Sequence, residues 1–142
     1  MEPSDLGVIL DSSLAIEAER QKLNVSQFLL RTIQKIGHRQ VALSSITIAE
    51  LAHGIHRANT LERRERRRTF LDELKAALPV YPITDLTAEL VGKIGGESSA
   101  IGVNIPLDDL LIGTCALERG YAVATRNVRH FGKIPGLIII DC

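Results

Sequence analysis

Gly7-Val8-Ile9-Leu10-Asp11 sets three apolar residues in unbroken succession and ends them on a carboxylate. A strand with one wet face alternates apolar and polar side chains. A run that is apolar throughout suits a parallel strand covered on both faces. The same pattern returns at Val41-Ala42-Leu43, Tyr121-Ala122-Val123-Ala124 and Leu137-Ile138-Ile139-Ile140, with a shorter piece at Tyr81-Pro82-Ile83 that suits an edge. Amphipathic segments lie between these runs. Ser26 reads as the N-cap of a helix with Leu29, Ile33 and Ile36 on one stripe. A helix near 46–58 follows the second strand, and a charged one near 60–78 carries Phe70, Leu71, Leu74 and Leu78 on one face. Thr84 caps a helix with Leu86, Leu90 and Ile94 inward, weakened by Gly95-Gly96 and ended by Gly102. Asp108 reads as the cap of a helix from Leu110 to about Arg119, closed by Gly120. Strand-helix alternation of this kind predicts a doubly wound α/β fold, a three-layer arrangement with a central, mostly parallel sheet of four to five strands between helices.

A chain of 142 residues, 45% hydrophobic and 24% charged, suits a single domain over 1–142 with a core of its own. Aromatics are scarce at 4%, with no Trp, so little material is available for stacking bases. Lys plus Arg equals Asp plus Glu, 17 against 17, and any attraction for a polyanion must come from local segregation of charge. The two cysteines, Cys115 and Cys142, have no metal-site or disulfide-framework spacing, which favours a reducing compartment. Met1–Gly7 shows neither a basic leader nor an apolar one, and no apolar run reaches the ~18 residues of a membrane span. The expectation is a cytoplasmic protein with no membrane contact.

In a doubly wound fold, the C-terminal end of a strand and the N-terminal end of the next helix share one edge of the sheet, where ligands bind. Asp11 ends the first strand. Glu50 lies in the first turns of the helix after the second, Asp108 and Asp109 open the helix before the fourth, and Thr125 and Asn127 follow the fourth. Each has an ordinary explanation. Asp11 could start a turn with Ser12 and Ser13; Glu50 could complete a capping box from Thr47; Asp108 and Asp109 suit any helix N-terminus, Asp108 especially; Asn127 could be a turn residue. Their placement on one edge carries the weight. At ~4 Å and an effective dielectric of ~20, each like-charged pair costs on the order of 4 kcal/mol. A hard divalent cation offsets that economically. Mg²⁺ needs only one or two carboxylates, binds phosphate oxygens and lowers the pKa of a water, which together are what phosphodiester hydrolysis requires.

Four segments, Val8-Ile9-Leu10-Asp11-Ser12-Ser13, Ser45-Ile46-Thr47-Ile48-Ala49-Glu50-Leu51 with Gly54, Ile105-Pro106-Leu107-Asp108-Asp109-Leu110-Leu111-Ile112, and Ala124-Thr125-Arg126-Asn127-Val128-Arg129-His130-Phe131, stand in an order that resembles the PIN-domain family, and within it the VapC-type toxins. The resemblance covers nearly the whole chain. It implies an Mg²⁺- or Mn²⁺-dependent endoribonuclease, the toxin of a type II toxin-antitoxin pair. It also implies a homodimer silenced by a small antitoxin that covers the acidic crevice. Carried over position by position, the family's acids fall on Asp11, Glu50 and Asp109, which would hold the metal. The fourth catalytic position, often Asp, falls on Asn127, which brings no charge. Ser12 and Thr125 match supporting hydroxyl positions. Gly113 stands where Ala is usual.

Five arginines lie between Arg63 and Arg68. A solvated helix face explains them, as does phosphate contact, for which Arg63 and Arg67 are candidates. Arg126 and Arg129 flank the fourth position and are better placed to touch RNA. His130 lacks any partner in the sequence that would make it a general base. Three other readings stand beside the toxin: a PIN-domain nuclease of RNA processing or decay, a silent RNA- or protein-binding domain, and a receiver-like signalling domain. The last is disfavoured because Val41-Ala42-Leu43-Ser44 ends without an acceptor Asp and Lys133 precedes the final strand.

Overall fold

The computed structural model describes residues 5–142. Most of the segment bearing on a leader, residues 1–4, lies outside the described residues. In chain order the elements are β1 (Val8–Leu10), α1 (Ser12–Arg20), α2 (Val25–Ile36), β2 (Val41–Ser44), α3 (Ser45–Arg57) and α4 (Leu61–Ala77). They continue with β3 (Val80–Tyr81), α5 (Asp85–Ala100), α6 (Leu107–Arg119), β4 (Ala122–Thr125), α7 (Val128–Phe131) and β5 (Ile139–Asp141). The strands form one sheet in the order β3-β2-β1-β4-β5, and every pairing is parallel. The expectation of a three-layer α/β sandwich therefore holds.

Successive side chains of a strand point to opposite faces. Val8 and Leu10 pack with Leu14, Phe28, Leu43, Phe70 and Leu74 from α1, α2, β2 and α4. Ile9, with Ala42 and Val123, packs against Val91, Leu110, Ile112, Phe131 and Ile134 on the other face. β1 is buried on both sides, which is why its sequence does not alternate. The lone buried thiol of Cys115 belongs to α6, and both cysteines are free. No helix of the described residues is long and apolar enough to cross a membrane.

Several local expectations are corrected. Asp11 does not open a turn. It is the N-cap residue of α1, a helix that the apolar pattern does not announce. The cap of α2 is Asn24, not Ser26: Asn24 Oδ1 accepts from Gln27 N at 2.8 Å, and Gln27 Oε1 accepts in return from Asn24 N. This reciprocal box satisfies two orphan donors at once, which Ser26 cannot do from inside the helix. Starting at Val25 moves the buried stripe to Val25, Phe28, Thr32 and Ile36. α6 begins at Leu107 behind Pro106, whose fixed φ suits a helix entry, and Asp108 makes no capping bond. α3 is capped by Ser44, which removes the capping-box explanation for Glu50. The outer strands also sit a little differently along the chain, β3 at Val80–Tyr81 and β5 at Ile139–Asp141.

Candidate active site

With every strand parallel, the C-terminal ends of β1, β2 and β4 share one edge with the starts of α1, α3 and α6. Asp11 leaves β1 almost fully buried, at 3% exposure. A buried carboxylate must be hydrogen-bonded. Ser13 Oγ and Thr125 Oγ1 each donate to Asp11 Oδ2 at 2.8 Å. The two hydroxyls tie the following backbone in turn: Arg126 N donates to Ser13 Oγ at 3.2 Å and Asn127 N to Thr125 Oγ1 at 2.8 Å. α1 and β4 are thus fastened through one carboxylate. Thr125, expected among the supporting hydroxyls, is the one that reaches Asp11 from β4. Ser13 is a further member that sequence reasoning missed, because only the phase of an unforeseen helix says which of two adjacent serines turns back to Asp11.

Glu50 projects from α3 beside Asp11 and Asp108. Burial raises its pKa to about 7; a hydrogen bond from the Ser12 hydroxyl works against this, and the negative charges of Asp108 and Asp11 add to the rise. Ser12 thus hydrogen-bonds Glu50, while its neighbour Ser13 bonds Asp11. Glu50 Oε1 is buried with no hydrogen-bond partner among the described residues. Asp109, on the first turn of α6, is pushed up to about 6 by burial and by the charges of Asp108 and Asp11. His130 works in the opposite direction, its Nδ1 standing 3.1 Å from Asp109 Oδ2. His130 was expected to stand alone; the short α7 brings it back over the crevice. Asp108, expected only to cap α6, is exposed and adds a fourth carboxylate to the cluster. Asn127 caps α7 by position, is exposed, and makes no side-chain cap bond.

The donor set is hard oxygen throughout and crowded with like charge. An orphaned carboxylate oxygen points to a missing positive partner. Among the described residues, no three Asp, Glu, His or Cys side chains stand together as a group that could hold a metal ion. A set of carboxylate oxygens is the donor chemistry that an ion such as Mg²⁺ takes, one or two at a time with several waters.

The basic residues are distributed unevenly. Arg126 Nη1 lies 2.8 Å from Glu17 Oε2 at the rim of the crevice, and Arg129 is exposed nearby. The arginine run on α4 is largely engaged within the fold. Arg66 Nε and Arg67 Nε lie 3.2 and 3.5 Å from Glu19 Oε1 on α1. Arg67 Nη1 also donates to Gly54 O at 2.7 Å, Arg63 to Asn59 at 3.1 Å, and Arg68 to Asp72 at 2.8 Å.

A model of the PIN domain matches residues 8–137. The chain belongs to the PIN domain family. Among its relatives, Ribonuclease VapC1 of Rickettsia felis is 27% identical over 135 residues, covering 95% of this chain and 96% of that protein. The fold of this PIN domain also superposes on solved structures. VapBC from Salmonella typhimurium, bound to DNA, aligns at a TM-score of 0.78 and 26% identity over 96% of this chain and 98% of that one. VapBC2 from Rickettsia felis, bound to a DNA fragment from its promoter, aligns at 0.80 and 23% identity over 96% and 99%. At that last identity the match speaks for the PIN fold alone.

Proposed function

We propose that this chain, acting as one domain, is a metal-dependent endoribonuclease and the toxin half of a toxin-antitoxin pair. The observation that carries the reading is the convergence of Asp11, Glu50, Asp108 and Asp109 from separate stretches, with a buried Glu50 oxygen left unpaired. The VapC ribonuclease name of its relative and the VapBC complexes among its structural neighbours support it. Asp11, Glu50 and Asp109 would hold Mg²⁺ or Mn²⁺. A bound ion of this kind activates water and offsets charge building on the phosphoryl oxygens.

The chain's own residues do the rest. Ser13 and Thr125 anchor Asp11 through Oδ2, which would leave Oδ1 for the ion. His130 limits the rise in the Asp109 pKa and keeps that carboxylate available near neutral pH. Asn127, neutral, offers a carbonyl oxygen at the fourth position. Arg126 and Arg129 flank the crevice where RNA phosphates would pass; of the two α4 candidates, Arg63 keeps its charge unpaired by an acid, while Arg67 is engaged by Glu19 and Gly54 O. A small antitoxin would silence the site by covering it. A homodimer in the cytoplasm completes the reading.

The test is cleavage of total RNA with and without Mg²⁺ by the wild type, Asp11→Asn and Asp109→Asn. Each substitution removes a charge with little change of shape. Both should lower the metal-dependent rate at least a hundredfold while circular dichroism stays native. Full-rate cleavage by both variants would overturn the assignment.

A further inference from the structure

A second cavity lies on the other side of α1 from Glu50. It has a volume of about 300 Å³, within the range of small-ligand pockets, and opens between α1 and α2. Leu14, Leu23 and Phe28 are among its apolar lining residues. Its polar lining includes Arg31, Lys35, Arg126 and Glu17, three cations against one carboxylate. In a chain of formal net charge zero this is the local segregation that a polyanion requires.

The cavity is mechanically joined to the acidic crevice. Arg126 forms part of its wall, yet Arg126 N is bound to the same Ser13 hydroxyl that donates to Asp11. The Arg126 guanidinium is then held in place by Glu17, on the next turn of α1. At 1.5 Å of rise per residue, Ser13 and Glu17 are about 6 Å apart along the helix. That distance is one step along a nucleic-acid strand, not a remote site.

We infer that this cavity receives the nucleotide next to the scissile phosphate, with its base against the apolar lining and its phosphate among Arg126, Arg31 and Lys35. This rests on the ribonuclease reading above. It gives α1 two roles: one face borders the carboxylates, and the other seats the neighbouring residue of the RNA. Arg31 and Lys35 are exposed residues of α2, outside the catalytic cluster, so their removal leaves the chemistry of the acids intact.

The experiment uses Asp11→Asn protein, which should bind without cutting, and a random-sequence single-stranded RNA oligonucleotide in Mg²⁺ buffer. Adding Arg31→Ala and Lys35→Ala should weaken binding about tenfold. It should also reduce the slope of log affinity against log salt by about 0.7, for the one phosphate no longer neutralised. A Lys75→Ala/Lys93→Ala control removes the same charge elsewhere and should change the affinity by less than twofold. In the active protein, the α2 substitutions should raise KM and leave kcat within twofold. Unchanged affinity and salt slope would overturn the inference, as would an equal loss in the control. Intact RNA binding with weakened antitoxin binding would assign the cavity to protein and overturn it too. Weakened RNA binding in a protein whose wild type does not cut RNA would sustain the cavity and sink the nuclease.

Discussion

At Glu50, burial and neighbouring negative charge act in the same direction, and both favour the protonated acid. Its folded pKa of about 7 lies above the ordinary 4.5. As pH rises between those values the unfolded chain gives up its proton first. The folded protein then holds more protons than the unfolded one, and stability falls with increasing pH through that window. Below the window the contribution is fully present, and above it the crowded carboxylate is a standing cost. Glu50→Gln keeps the shape and removes the charge. In EDTA at pH 8 it should raise Tm by a few degrees, the size expected of roughly 1 kcal/mol, and it should flatten the decline between pH 5 and 7. A Tm at or below wild type would mean that Glu50 is not under electrostatic stress. Asp11 is different in kind, because two hydroxyls already satisfy it. The sequence could place both acids on one edge. It could not tell the satisfied one from the strained one, since that depends on which hydroxyls turn inward.

Between elements, the close approach of α6 to the segment after α7 is set by Gly113. A Cβ built there would stand 2.5 Å from Ile134 Cδ1 and 3.3 Å from Leu137 Cδ2. Alanine gains up to ~1 kcal/mol in helix propensity but overpacks the contact, which costs about 1–3 kcal/mol. Gly113→Ala should therefore be destabilising by roughly 1 kcal/mol. Ile134→Val removes the clashing methyl, so alanine should be tolerated in the double variant. A double-mutant cycle in urea should show coupling of about 1 kcal/mol, and strictly additive effects would rule out the contact. The sequence shows that Gly113 departs from the family's alanine, but not that Ile134 fills the space. The same limit applies to α4. Its arginines read equally well as a solvated face or a phosphate surface. Only the packed helices reveal that Glu19 on α1 binds Arg66 and Arg67 together. β1, β2 and β4 were legible because double burial leaves an unbroken apolar run. α1 was not, because its start merges with the carboxylate that ends β1, and α7 is too short to show a period.

For the molecule as a whole, an all-parallel sheet gathers several strand ends and helix starts at one edge, and here that edge is acidic. A divalent ion bound there is linked to both folding and pH. Ligand that binds only the folded state adds RT ln(1 + [L]/Kd), about 2.7 kcal/mol at a hundred times Kd. Protons compete for the same oxygens. With Glu50 titrating at about 7 and Asp109 at about 6, both are largely ionised at pH 8 and largely protonated at pH 5. Mg²⁺ should therefore raise Tm substantially at pH 8 and little at pH 5, the reverse of the metal-free trend in which rising pH destabilises. In Glu50→Gln the gain at pH 8 should shrink, because one oxygen donor has lost its charge. Thermal melts at the two pH values, with and without saturating Mg²⁺, give four numbers that decide the matter without any RNA present. An equal gain at both pH values would place the ion elsewhere on the surface. A gain confined to high pH and weakened by Glu50→Gln would place it at the edge where Asp11, Glu50 and Asp109 meet.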